Sequence, residues 1–315
     1  MMDNQQGLYR FPARRCGEIA HALFRHGTEG CVSAVFNSSF YLESAGHYAC
    51  IGNLALPAGP LNVAIEAPGN MDWRAAGLRN HAAWRVSVDT LYLGDRFAIP
   101  FGETEIWRPP PIPADWTAGD LGRGRAECLR RAAHRTPVAG LARLVIRAPR
   151  RPPDPVMEKI AAAPVADLRA WLASAFRDPH AAPCPPPDGI GRLVGMGPGL
   201  TPSGDDFLAG VLIALSGFGA PAKRRRLWDV VQPLARDAGN PISMAHLAAA
   251  ARGLGGAALH DLLAALVRAD AAAIAAGIDA IDGIGHTSGW DTLAGLMTCV
   301  EARLDAFECT PETTE

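Results

Sequence analysis

Gly191–Gly210 reads G-R-L-V-G-M-G-P-G-L-T-P-S-G-D-D-F-L-A-G, a glycine-rich approach that runs straight into an apolar segment of helical period. Between Gly195 and Gly204, four glycines and two prolines exclude regular structure, and glycine lets the backbone pass close to a ligand or to another segment. Phe207, Leu208, Val211, Leu212 and Leu215 then recur at helical spacing, and Gly217 and Gly219 supply a stop. The stretch is a loop feeding a helix N-terminus.

The octet that opens this helix returns near the end of the chain. Ser288–Gly295 reads S-G-W-D-T-L-A-G against S-G-D-D-F-L-A-G at Ser203–Gly210, with six of eight positions identical. In each copy serine precedes aspartate by three residues, Ser203 before Asp206 and Ser288 before Asp291, the spacing of a capping box with Asp in place of Glu or Gln. Reciprocal capping is therefore one role for the two aspartates. Thr201 as cap with Pro202 as the first helical residue is an alternative register for the first copy. Asp205 has Trp290 as its counterpart, so capping symmetry does not account for it, and it reads as the freer carboxylate. Gly210 and Gly295 each follow the shared aspartate by four residues, on the same helical face, where glycine costs about 1 kcal/mol relative to alanine. That cost predicts that the two helices cross closely near these glycines and gather their N-termini around one pocket.

Composition bounds the rest. The 315 residues, 49% hydrophobic and 20% charged with a net charge of −2, describe an ordinary globular protein of about two domains. The densest basic run, Lys223–Arg226, is too short for a nucleic-acid footprint. The N-terminus lacks a signal-peptide pattern and no apolar run is long enough to span a bilayer, which predicts a cytoplasmic protein with neither membrane nor nucleic acid as partner. The seven cysteines show no metal-site spacing and read as reduced thiols, mostly core fillers.

The first third of the chain reads as short strands and tight turns: Cys31–Phe36, Phe40–Leu42, Tyr48–Ile51, Leu61–Ile65, Trp84–Leu93 as one strand closed by a Gly94-Asp95 turn, Arg96–Ile99 and Thr104–Trp107. Ile19–Phe24 fits a short helix or strand, and Met71–Ala83 a short helix. A proline cluster, Pro109–Pro113, marks the boundary. Beyond it, helical periods cover Leu121–Ala133, Val138–Ile146, Val156–Ile160, Val165–Phe176, Arg224–Ala238, Ile242–Ala251, Ala257–Ala275 and Trp290–Phe307, with Pro-rich connectors at Pro149–Pro155 and Ala181–Asp188 and a frayed tail from Glu308. The expected fold is α+β: a small β-barrel or sandwich-like domain over 1–112, and a larger, mainly helical domain over 113–315 carrying the paired loops.

Converging helix N-termini present unpaired N–H groups and the positive end of the macrodipole, a ready site for phosphate or carboxylate. The candidate binding residues are Gly197, Gly199, Thr201, Ser203, Gly204, Asp206, Thr287, Ser288 and Asp291, with Asp205 and His286 as candidate acid–base groups. Neither common phosphate fingerprint is present, since the G-x-x-x-x-G-K-[ST] lysine is missing and no G-x-G-x-x-G precedes a βαβ unit. These residues single out no definite cofactor. Asp205, Asp206 and Asp291 holding Mg²⁺ that bridges an anionic substrate is an alternative. Ser203 and Ser288 lack a nucleophile elbow and suit caps better than catalysis. Asn240 and Ser243 mark a third helix start, with capping as their role.

The motifs G-x-G-L-T-P-S-G-D-D-F-L-A-G, I-S-x-x-x-L-x-x-A-x-x-G (Ile242–Gly253) and G-H-T-S-G-W-D-T-L-A-G (Gly285–Gly295) resemble those of the DUF2877 family, which includes the AllH-like subunits of oxamate carbamoyltransferase in anaerobic allantoin breakdown. The resemblance covers most of the chain, including the β-rich start. It implies carbamoyl transfer between carbamoyl phosphate and oxamate, giving oxalurate and phosphate, with FdrA-like and DUF1116-like subunits beside this one and self-association as a further option. It assigns no catalytic residues, and the S-T-R-T phosphate motif of aspartate and ornithine carbamoyltransferases is absent from the sequence. Two rival readings are a non-catalytic assembly subunit and a stand-alone metal-assisted hydrolase or small-anion binder on the same scaffold.

Overall fold

A computed structural model describes residues 8–147, 155–177 and 184–308. The chain divides into two compact units, Met1–Pro109 and Pro110–Glu315.

The first unit is a single curled sheet of ten strands. They are β1 (Tyr9–Arg10), β2 (Ala13–Gly17), β3 (Glu29–Val35), β4 (Ser39–Ser44), β5 (His47–Asn53), β6 (Asn62–Ile65), β7 (Ala83–Ser87), β8 (Thr90–Leu93), β9 (Phe97–Pro100) and β10 (Glu105–Trp107), with a one-turn helix α1 (Glu18–His21) after β2. The order across the sheet is β1-β9-β8-β7-β3-β4-β5-β6-β2-β10. Pairing is antiparallel except for β1 with β9, β5 with β6 and β2 with β10. Register shifts in β2 and β3 add local twist that helps the sheet curl. Its concave core is aromatic: Trp73 packs edge-on against Phe40, Phe97 and Phe11, with ring centroids 4.9, 5.8 and 6.0 Å away.

Two readings of this unit are corrected. Trp84–Leu93 is a hairpin and not one strand, because Val88, at φ 56°, opens a two-residue turn that pairs Ser87 with Thr90. A β-branched residue at positive φ is rare, so its alternation masked the turn. Met71–Ala83 forms turns instead of a helix, since Trp73 donates its backbone N–H to Asn37 and leads its side chain into the core.

The second unit is helical: α2 (Ala118–Ala132), α3 (Ala142–Val145), α4 (Pro155–Arg177), a 3-10 turn at Asp188–Arg192, α5 (Ser203–Gly217), α6 (Pro221–Asp237), α7 (Pro241–Ala251), α8 (Ala257–Arg268), α9 (Ala271–Asp282) and α10 (Ser288–Glu308). Val156–Ile160 and Val165–Phe176 belong to the one helix α4, with Pro164 inside it. Burial of Ala161, Val165, Leu168 and Leu172 carries the helix through the lost backbone donor. Conversely, Ala257–Ala275 is two helices, broken where Ala269 takes a left-handed conformation and Asp270 caps α9 through Ala272 and Ala273. The connector at Pro149–Pro155 lies almost wholly outside the described residues, as do part of Ala181–Asp188 and the tail beyond Glu308.

At the centre of this unit lies α5, every residue from Ser203 to Leu215 buried. A helix apolar all round belongs in a core. Its main neighbour is α10, itself largely buried.

Candidate functional site

The two octets build the crossing that the sequence predicts. A Cβ placed on Gly210 would stand 2.0 Å from the Thr292 carbonyl oxygen of α10, and one on Gly295 would stand 1.9 Å from the Phe207 oxygen of α5. Backbone meets backbone reciprocally there, so each glycine is required by the other helix. The pattern continues six residues earlier in each helix. Gly204 and Gly289 lie against the carbonyls of Leu193 and Ile281, at 1.8 and 2.2 Å from an added Cβ, and each donates its N–H to its own approach loop, to Met196 at 2.9 Å and Ile284 at 3.2 Å.

The two helix starts therefore touch. Thr201 Oγ1 and Ser288 Oγ are hydrogen-bonded at 3.1 Å. Here the capping expectation is corrected. Ser203 is the first residue of α5, Pro202 occupies the cap position, and no side chain caps the helix. The shared serines serve the other copy. The hydroxyls of Ser288, across the crossing, and of Thr201, from its own loop, oppose the rise that burial imposes on the Asp206 carboxyl. Asp291 is held by Ser203, across the crossing, and Thr287 from its own loop, and it also accepts the N–H of Leu141 at 2.6 Å. The hydroxyls that oppose the effect of burial on each carboxyl thus come from both copies.

Both carboxyls titrate above the ordinary carboxylate range. Burial pushes Asp206 well up, the charges of Asp291 and Asp205 add to it, and the two hydroxyls oppose it. Burial likewise raises Asp291, against the N–H groups of Leu141 and Ala142 and the hydroxyls of Ser203 and Thr287. Asp206 Oδ2 and Asp291 Oδ2 are buried without a hydrogen-bond partner.

Asp205 is not the free carboxylate that its lack of a counterpart implied. Oδ1 accepts the N–H of Gly195 at 2.7 Å and Oδ2 accepts Ser243 Oγ at 2.6 Å. Asn240 caps α7 by accepting the N–H of Ser243 at 3.1 Å and ties the loop by donating to the Leu200 carbonyl at 2.8 Å. Together these bonds fix the glycine loop, where Gly197, at φ 107°, lies over Ser203 in a conformation open to few other residues. The loop tip is exposed at Pro198, Gly199 and Leu200, and His286 is exposed beside the α10 start, with Thr287 and Ser288 half-buried. Among the described residues, no group of three or more His, Cys, Asp or Glu side chains is arranged to hold a metal ion. Asp205 is turned to Gly195 and Ser243, away from that task.

The reading of Val138–Ile146 as helical is corrected, since only Ala142–Val145 is helix and the segment Pro137–Leu141 ahead of it runs as non-helical backbone against the site. Gly140, at φ 84°, lies under the Asp291 carboxyl, and an added Cβ would sit 2.5 Å from its Oδ1. The signal was present as Thr136-Pro137 and a glycine just ahead of a helical stretch, the same grammar as the two octet approaches.

Fold and site together define an α+β protein whose helical unit gathers two glycine-lined helix starts over a pair of buried carboxyls. Residues 193–300, the segment that carries both octets, match the family described as Oxamate carbamoyltransferase subunit AllH, the family that the motifs resemble. The match lies within the helical unit and does not extend to the β-rich start. No solved structure matches the chain.

Among the described residues, no helix is long and apolar enough to cross a membrane. Cys16, Cys50, Cys128 and Cys299 are buried core residues, Cys31 is half-buried and Cys184 exposed, all as free thiols; Cys309 lies outside the described residues.

Proposed function

We propose that this chain is a subunit of an oxamate carbamoyltransferase, and that its touching helix starts hold a small anionic substrate, carbamoyl phosphate or oxamate. The observation that carries the reading is the Thr201–Ser288 contact, which brings two positive helix ends to one place, each worth about 0.3–1 kcal/mol to an anion. Gly197 and Gly199 present backbone to the anion. Thr201, Thr287 and Ser288 offer hydroxyls, and Ser203, Gly204, Asp206 and Asp291 form the floor. His286, exposed at the rim, donates to the anion or moves a proton at it. Asp205 is a positioning residue, since both its oxygens are spent on the loop and α7. The subunit's task is orientation and charge stabilisation. Any Mg²⁺ enters with the phosphate, and FdrA-like and DUF1116-like chains supply the remainder of the assembly in the cytoplasm.

The exposed tip at Leu200, 38% accessible, favours a second reading: a non-catalytic subunit whose loop completes a partner's site. Calorimetric titration separates the two. Carbamoyl phosphate, oxamate and inorganic phosphate, with and without Mg²⁺, are titrated into the full chain and into His286→Ala and Ser288→Ala. Binding to the chain alone, weakened severalfold by both substitutions in folded protein, is expected. Heat only when partner subunits are added would favour the completing role, and no heat in either case would overturn the anion site.

A further inference from the structure

The anion-binding reading leaves two atoms unused. Oδ2 of Asp206 and Oδ2 of Asp291 accept no hydrogen bond, on side chains only 9% and 0% exposed. A buried oxygen without a donor is costly, and here the same cost recurs at the same octet position of both helices. We propose that these two oxygens form a subsite for the –NH₂ of a primary amide or carbamoyl group, so that the substrate's nitrogen end meets the aspartates and its anionic end meets the glycine loop. The proposal rests on the anion-site reading and assigns the other end of that ligand.

The polarity of the atoms decides the class. Carboxyl oxygens lacking a donor repel phosphate or carboxylate and attract N–H groups. An –NH₂ carries two N–H bonds, and the helix pair offers two acceptors, one from each helix. The reciprocal contacts at Gly210 and Gly295 hold those helices together one turn below, and Asp206 feels the charge of Asp291. A divalent cation fits less well, because no group of three or more candidate side-chain ligands is present among the described residues. Oxamate carries both ends on two carbons, a carboxylate and a primary amide.

A site built around a substrate N–H rejects the analogue that lacks it. The test is calorimetry on the full chain with three probes: oxamate, oxalate (a carboxylate in place of the amide) and inorganic phosphate, which reports the anion end alone. Oxamate is expected to bind at least tenfold more tightly than oxalate. Asp206→Leu should bring that ratio to about one. Equal affinity for oxamate and oxalate in the unaltered protein, or a ratio that survives Asp206→Leu, would overturn the subsite and leave the anion site standing. Loss of all three ligands in the unaltered protein would remove both. If Asp206→Leu does not fold, Asp206→Asn serves in its place, its own amide opposing the substrate's, and the ratio in the unaltered protein decides alone.

Discussion

At its third position the first octet carries Asp205 and the second carries Trp290. These residues differ in charge, size and polarity, yet each fixes its helix start to a different neighbour. Asp205 binds Gly195 and Ser243. Trp290, buried, donates Nε1–H to Asp282 of α9 at 2.9 Å, and Asp282 in turn takes Arg135 at 2.8 Å. The six shared residues make the joint between the helices, and the unshared ones attach that joint to its surroundings. A repeated motif can thus keep its pairing surface while each copy acquires its own moorings.

The joint should be the hardest part to alter. In Gly210→Ala and Gly295→Ala the added methyl meets a carbonyl oxygen of the opposite backbone at 2.0 and 1.9 Å, and neither helix can yield locally. Overpacking of this kind costs about 3 kcal/mol or more. Denaturant unfolding should show both variants destabilised by similar amounts. A loss under about 1 kcal/mol in one of them would mean that the joint is not reciprocal.

The moorings should cost less and differ. Asp205→Ala leaves the Ser243 hydroxyl and the Gly195 N–H without their acceptor inside the protein, for a loss of about 2–3 kcal/mol. Trp290→Phe gives up one hydrogen bond and part of a ring, for about 1–2 kcal/mol. Proteolysis of the loop around Gly197 should rise in the first variant and not in the second. Equal loop cleavage in both would show that Asp205 does not hold the loop.

The joint was legible in the sequence and the moorings were not, for a physical reason. Close backbone approach demands a missing Cβ, and glycine displays that on its face, so Gly210 and Gly295 announced the crossing. An acceptor announces nothing about its donor. Asp205 finds Ser243 38 residues away, and Asp291 finds Leu141 150 residues away. Nor did spacing reveal that Ser203 and Ser288 would serve each other's aspartates, because a box closed within one helix and a box exchanged between two have the same sequence. The errors in element boundaries have a related origin: Val88 and Ala269 adopt positive φ without being glycine, and nothing in their side chains marks a break. The β-rich character of the first unit followed from short alternating runs, but its strand order depends on parallel pairings between distant segments such as Tyr9–Arg10 and Phe97–Ala98.

The smallest effect expected separates the two aspartates at the joint. Burial raises the carboxyl of Asp206 with only hydroxyls opposing it, whereas Asp291 also receives the backbone N–H groups of Leu141 and Ala142. Below pH about 4 Asp206 is protonated in both folded and unfolded chains and its burial carries no charge penalty. As pH rises through the raised folded value, the unfolded chain is already ionised, and the stability the neutral carboxyl provided is lost. Asp206→Asn removes that dependence. Its gain over the unaltered protein should be smallest near pH 4 and grow as the pH is raised toward 8. Asp291→Asn should gain less or lose outright, because the N–H groups it leaves bind a neutral amide oxygen more weakly than a carboxylate. Thermal unfolding across that pH range reads both. A gain for Asp206→Asn that does not grow with pH would show that its carboxyl is ionised without penalty, and the two copies would then be electrostatically alike.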